Sequence, residues 1–250
     1  MRFDQIILEK ENGIARITLN RPQALNALTV SLLQEMQAAL DDIQQDDAIG
    51  VVVLTGAGKA FSAGVDLKAL ESETLPGEEI GVRLNRVARG VLQTMEALSK
   101  PIIAVVNGFC LTGGLEIALG CDLIIASDNA KFGDTHVRWG LHPTWGLSQK
   151  LPRLVGLLKA KELSFTAATI TAVEAEKIGL INRVYPTEEL EAAVQKLTEA
   201  ILSNSRPAIA CYKMLINRGY RGDLADGLAL EFDTPLDVND AGERTHAFRT

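Results

Sequence analysis

Two stretches about fifty residues apart share one pattern, which limits the folds open to the chain more than any other feature. Val53-Leu54-Thr55-Gly56 leads through a short loop to Gly64-Val65-Asp66-Leu67, and Val105-Val106-Asn107-Gly108 leads to Gly114-Leu115-Glu116-Ile117. Each reads as a buried strand, a glycine turn, a loop of small residues and a helix that opens with an acidic residue. A supersecondary unit used more than once at this period, with strands alternating with helices, argues for an α/β arrangement with parallel pairing. It also brings two helix starts into equivalent positions.

The flanking sequence fits that frame. Residues 6–8 and 14–19 read as two short strands parted by an Asn12-Gly13 turn. Val30, Leu33, Met36, Leu40 and Ile43 recur at helical spacing, with Thr29 or Ser31 as N-cap. Residues 51–54, 102–106 and 123–126 read as strands. A helix over 80–98 carries Leu84, Val87, Val91, Met95 and Leu98 on one face and is stopped by Pro101. After Pro143 the character changes: 147–158, 172–178, 188–203, 207–217 and 224–232 read mainly as helices. Thr171 and Glu174 form a capping-box pattern at one of these starts. No Pro-, Gly- or Ser-rich linker intervenes, so residues 1–190 form a core and residues 191–250 a helical region of the same unit.

Composition narrows the function. The chain has 250 residues and a formal net charge of −7, and it shows no basic run, which argues against nucleic acid as a partner. No apolar stretch approaches the roughly 20 residues of a spanning helix, so no membrane partner is expected. The N-terminus lacks the apolar block of a signal peptide, and Cys110, Cys121 and Cys211 neither pair completely nor show metal-ligand spacing. A cytoplasmic location is expected. An anionic small molecule stays open as a partner, because a local site can be positive on a negative protein.

The two helix starts suggest chemistry. A helix start presents unpaired N–H groups and a partial positive charge. Two such starts converging would give two N–H donors to one oxygen, the geometry that holds an oxyanion or enolate. Nucleotide motifs fail on spacing: Gly56-Ala57-Gly58-Lys59 lacks the upstream Gly and following Ser/Thr of a Walker A loop. Phe61 also stands where a dinucleotide fingerprint needs its third glycine. There is no Gly-x-Ser-x-Gly elbow.

Asn20-Arg21-Pro22 with Asn26-Ala27-Leu28, the run from Phe61 to Leu67, and Asn107-Gly108-Phe109-Cys110-Leu111-Thr112-Gly113-Gly114-Leu115-Glu116 together resemble the crotonase (enoyl-CoA hydratase/isomerase) superfamily. Cys121-Asp122, Phe132-Gly133 and Ala247-Phe248 extend the likeness. The resemblance implies an α/β fold, a crotonase-like spiral of ββα repeats with a helical C-terminal trimerisation region, and hence a homotrimer or homohexamer. It implies an acyl-CoA thioester substrate, in lipid and fatty-acid metabolism, whose enolate is held by the N–H groups of Val65 and Gly113. Ala24, Leu25, Ala63, Asp66, Leu67 and Lys68 would line the CoA, with Phe232 near its adenine. CoA is then part of the substrate; neither a separate cofactor nor a metal is implied.

Glu116 aligns with the first of two hydratase glutamates, and His136 stands where the second would be. A pair of groups sharing a water can deliver both protons that hydration requires, and an imidazole can replace a carboxyl because it titrates near neutrality. Asp134 is the other candidate for that role. Pro143-Thr144-Trp145-Gly146 takes the place of a family loop near the catalytic water, so the resemblance implies that the bulkier Trp145 narrows the acyl pocket. The expected activity is enoyl-CoA hydration; alternatives are isomerisation, thioester hydrolysis, or acyl-CoA binding with little turnover. Taken without the resemblance, Asp66 reads as a structural helix-start acid, Lys68 as a surface lysine and Phe232 as core. His136 read alone is a hydrogen-bonded structural residue. A metal set of Asp134, His136 and His142 matches no common spacing. The cysteines read as small buried hydrophobes.

Overall fold

The computed structural model describes residues 2–72, 75–235, 240, 244 and 246. Ala247 and Phe248 lie outside them. The chain opens with an antiparallel hairpin of β1 (Ile6–Glu11) and β2 (Ile14–Leu19) around Asn12-Gly13. Helix α1 (Val30–Gln44) follows, and Thr29 is its N-cap, its hydroxyl oxygen accepting the Leu32 N–H at 3.0 Å; Ser31 falls inside the first turn.

The repeated unit then becomes visible. Strand β3 (Val51–Gly56) is followed by β4 (Ala60–Ser62) and α2 (Leu67–Ser72). After α3 (Val82–Ala97), strand β5 (Ile102–Val106) is followed by β6 (Phe109–Leu111) and α4 (Gly113–Ala118). A third pair, β7 (Leu123–Ser127) and β8 (Lys131–Gly133), continues the series. The first member of each pair joins a six-stranded sheet of order β1-β2-β3-β5-β7-β10, in which β10 is Arg183–Tyr185. The second member joins a four-stranded sheet of order β4-β6-β8-β9, in which β9 is Thr169–Thr171. All pairings among β2, β3, β5 and β7 and among β4, β6 and β8 are parallel.

The second half is less uniformly helical than its periodicity suggests. The single helix expected over 147–158 is two, α5 (Leu147–Val155) and α6 (Leu157–Thr166), parted at Gly156, where φ is +80°. Strand β9 (Thr169–Thr171) pairs antiparallel with β8, and β10 (Arg183–Tyr185) closes the large sheet parallel to β7. Between them α7 (Ala172–Lys177) carries the full capping box of Thr171 and Glu174. Helices α8 (Leu190–Leu202), α9 (Arg206–Gly219) and α10 (Leu224–Asp233) follow.

The central strands are apolar throughout because both faces are covered. Val52, Leu54, Ala104, Val106 and Ala126 face a core shared with Leu33, Met36 and Leu40 of α1 and Ala88, Val91 and Met95 of α3. The alternate residues Val51, Val53, Ile103, Val105 and Ile125 pack with Leu190 and Val194 of α8. The site lies just beyond the C-terminal ends of β3 and β5. No helix among the described residues is long and apolar enough to cross a membrane.

Candidate active site

The loops after β4 and β6 lie against each other. Gly64 has φ +98°, and a Cβ on it would lie 3.1 Å from Leu111 O and 3.3 Å from Gly113 N. On Gly114 a Cβ would reach 2.4 Å from Ser62 O, so only glycine lets α4 start this close to β4. Leu28 N–H donates to Gly64 O (2.7 Å) and Asp66 N–H to Leu28 O (2.9 Å). Because successive peptide groups of extended backbone point to opposite sides, the Val65 N–H faces away from Leu28. On the other loop Thr112 adopts φ 52°, ψ −117°, outside the usual regions for a side-chain-bearing residue. Its ψ sets the direction of the next peptide, which carries the Gly113 N–H. Thr112 is pinned by its own N–H to Gly133 O (2.8 Å) and by its hydroxyl, 2.7 Å from the Thr135 hydroxyl. Among the described residues, neither the Val65 nor the Gly113 N–H donates to a protein group.

Glu116 lies three residues into α4 from Gly113 and is 2% exposed. Its Oε1 accepts N–H bonds from Trp145 (2.8 Å) and Leu147 (3.2 Å), and its Oε2 lies 3.6 Å from His136 Nε2. Burial pushes the Glu116 carboxyl above the usual range; the two N–H bonds and His136 pull the other way without cancelling it. His136, on a single 3₁₀ turn, has its Nδ1 2.7 Å from Asp134 Oδ1. Burial alone would push the Asp134 carboxyl up, but bonds from His136 and the Ser164 hydroxyl outweigh it and hold the group ionised below its usual range. An ionised carboxylate only accepts, so His136 donates through Nδ1 and turns Nε2 toward Glu116. The order is half-buried Ser164, then buried Asp134, His136 and Glu116. Asp134 therefore stands behind the imidazole, not beside Glu116 as an alternative to it.

Trp145 is 6% exposed, and its indole lies directly on Gly113, where a Cβ would be 2.9 Å from Cζ3. Its Nε1–H donates to Asn85 Oδ1 of α3 at 2.8 Å. The Asn20-Arg21-Pro22 and Asn26-Ala27-Leu28 motifs knit the opposite wall. Buried Asn26 donates to Ala57 O and Ala60 O (2.9 and 2.7 Å), and Arg21 pairs with Asp66 at 2.8 Å. Asp66 also receives the Lys68 and Ala69 N–H groups, so its carboxylate is spent on starting α2. Ala63 N–H donates to Leu25 O (3.0 Å), which brings Ala24, Leu25 and Ala63 together, while Leu67 and Lys68 are exposed nearby. Phe232 is not core: it is 88% exposed on α10. Cys110 is buried, whereas Cys121 and Cys211 are half-buried. His142 is exposed. Asn85, Ser164 and the paired Thr112 and Thr135 hydroxyls were not legible as site residues, because each acts through a partner distant in sequence.

Comparison with known proteins shows the family of the chain. A family model described as enoyl-CoA hydratase/isomerase matches residues 9–245. The short-chain-enoyl-CoA hydratase of Clostridium acetobutylicum is 45% identical over 233 residues, covering 92% of this chain and 88% of the relative. The probable peroxisomal enoyl-CoA hydratase 1 of Arabidopsis thaliana is 40% identical over 97% of this chain and 85% of its own. The crystal structure of an enoyl-CoA hydratase from Bacillus anthracis matches with a TM-score of 0.91 at 36% identity, covering 98% of this chain and 96% of that one. A monofunctional enoyl CoA isomerase from M. smegmatis also matches, with a TM-score of 0.77 at 32% identity over 90% of this chain and 98% of its own. The chain belongs to the enoyl-CoA hydratase/isomerase family, the crotonase superfamily.

Proposed function

We propose that this protein is an enoyl-CoA hydratase, adding water across the 2,3 double bond of a 2-enoyl-CoA thioester. The observation that carries the reading is the placement of buried Glu116 and His136, 3.6 Å apart, one helical turn from the Gly113 N–H. The hydratase names of the Clostridium and Arabidopsis relatives support it.

In this reading the thioester oxygen accepts the Val65 and Gly113 N–H groups, each such donor contributing about 2.7–4 kcal/mol to the transition state. Glu116 takes a proton from water as the water oxygen bonds to C3. The π electrons move to form the C1–C2 enolate, whose negative oxygen sits between the two donors. Protonated His136, steadied by Asp134, gives its Nε2 proton to C2 and completes the product. The proton on Glu116 then passes back to His136, so one water is consumed and both residues are restored. Ala24, Leu25, Ala63, Leu67 and Lys68 lie along the CoA path, and Asp66 contributes by holding Arg21 and the start of α2. Phe232 acts from the C-terminal region near the adenine.

A homotrimer or homohexamer accompanies this reading. Tyr212 and Ile216 on α9, Tyr220 just after it, and Leu224 and Phe232 on α10 are all more than half exposed in the single chain, and subunit contacts would cover such a surface.

The test is the loss of enoyl absorbance when the purified protein meets crotonyl-CoA, with the product identified. Formation of 3-hydroxybutyryl-CoA by the wild type and not by Glu116→Gln supports hydration. A shifted double bond, free CoA, or no reaction overturns it.

A further inference from the structure

We infer that Asn85 latches Trp145 across the acyl end of the pocket and so restricts the substrate to short 2-enoyl chains. The inference deepens the hydratase reading and rests on it. Trp145 touches both reacting groups: its backbone N–H holds Glu116 Oε1 at 2.8 Å, while its ring leaves no room for even a Cβ on Gly113. Ring and carboxylate therefore bracket the space for C2 and C3 of a thioester held at Gly113. A chain running on past C3 meets the indole.

A tryptophan on a loop would ordinarily swing aside for a longer chain. Here Nε1–H is tied to Asn85 Oδ1 at 2.8 Å, and the Thr144 hydroxyl donates to the same oxygen at 3.1 Å. Two consecutive loop residues thus share one acceptor. That acceptor belongs to another element: Asn85 sits on α3 between buried Leu84 and the buried Ala88 one turn on, both in the main core. The latch is anchored by helix packing, not by the loop it restrains. The bond reaches neither Glu116 nor the thioester donors, so its role is to set the shape of the pocket. Asn85 is a positioning residue acting through Trp145.

The experiment compares kcat/KM for crotonyl-CoA and 2-octenoyl-CoA in the wild type, Trp145→Ala, Asn85→Ala and Asn85→Asp. A single methylene in an apolar pocket changes discrimination by about 10–200-fold, so the octenoyl-to-crotonyl ratio should rise at least about tenfold in Trp145→Ala. It should rise several-fold in Asn85→Ala, mainly through a lower KM for the longer chain. Asn85→Asp keeps an oxygen that accepts both bonds and should retain the wild-type ratio. A merely structural role would lower both substrates together and leave the ratio fixed, which overturns the inference. A wild type that already prefers octenoyl-CoA also overturns it, while leaving the hydratase reading in place. If Asn85→Ala does not fold, Trp145→Phe, which lacks Nε1, replaces it and must raise the ratio. A wild type inactive on both substrates overturns the hydratase reading, and the inference with it.

Discussion

His136 Nε2 faces Glu116 Oε2 across 3.6 Å, with both side chains almost wholly buried. That gap is long for a direct bond, yet a single oxygen about 2.8 Å from each atom closes the triangle. Because Asp134 occupies Nδ1, Nε2 is the nitrogen that remains for the substrate side.

Glu116→Gln should lower the hydration rate by about 10²–10⁴-fold, the usual worth of a positioned acid–base group, measured as initial rate on crotonyl-CoA. The same variant should be more heat-stable at pH 8. Burial raises the carboxyl in the native chain, so folding favours the protonated form. Stability is lost as pH rises from the ordinary value of 4.5 through the raised native one. Glutamine carries no charge at any pH and still offers Oε1 to Trp145 and Leu147. Melting curves should show an advantage for the variant at pH 8 that vanishes at pH 4.

Asp134→Asn should leave the imidazole in place but no longer fix its tautomer. We expect kcat on crotonyl-CoA to fall by about 10²-fold or more, with a smaller change in KM. The stability sign is opposite to that of Glu116. The native Asp134 carboxyl lies below 3.8, so its contribution is present above pH 3.8 and is lost as pH falls through the native value. The variant should melt below the wild type at pH 7, and the gap should close in acid.

Thr135→Val removes the hydroxyl that holds Thr112 in its uncommon backbone conformation. Such conformations cost on the order of 1–3 kcal/mol and persist where the surroundings impose them. With that restraint gone the Gly113 N–H drifts from the thioester oxygen. Steady-state kinetics should show a fall in kcat of about tenfold, part of the loss expected when a whole donor is removed.

Thr171→Ala serves as a control remote from the chemistry. The Thr171 hydroxyl oxygen accepts the Glu174 N–H at 3.1 Å, and losing such a cap costs about 1 kcal/mol. Urea unfolding should show that loss while kcat on crotonyl-CoA stays at the wild-type value.

What was legible in the sequence follows from how far each signal reaches. The central strands and the helices at 30–44 and 82–97 declared themselves because their apolar spacing extends over several turns or covers both faces of a sheet. Strands of three residues such as Ala60–Ser62 and Phe109–Leu111 carry too few residues for any period to show. The twin glycine turns and Glu116 were readable because donor and carboxylate lie within four residues of each other. Ser164 on Asp134 and Asn85 on Trp145 were not, since each pair is joined only by the packing of a helix against a loop distant in sequence. The place of Asp134 was readable as a candidate but not as a support, because only the fold decides on which side of His136 it lies.

Gly113 and Glu116 are the first and fourth residues of one six-residue helix, and that has a consequence for how the site can change. A helix advances about 1.5 Å and turns about 100° per residue, so the polarising N–H and the carboxylate form a fixed gauge. Substitutions along the segment can alter its packing, but neither end can be retuned alone. A single inserted or deleted residue swings Glu116 a quarter-turn or more away from His136 while the N–H stays put. Length here is the inherited quantity, more than the identity of Leu115 between the two ends.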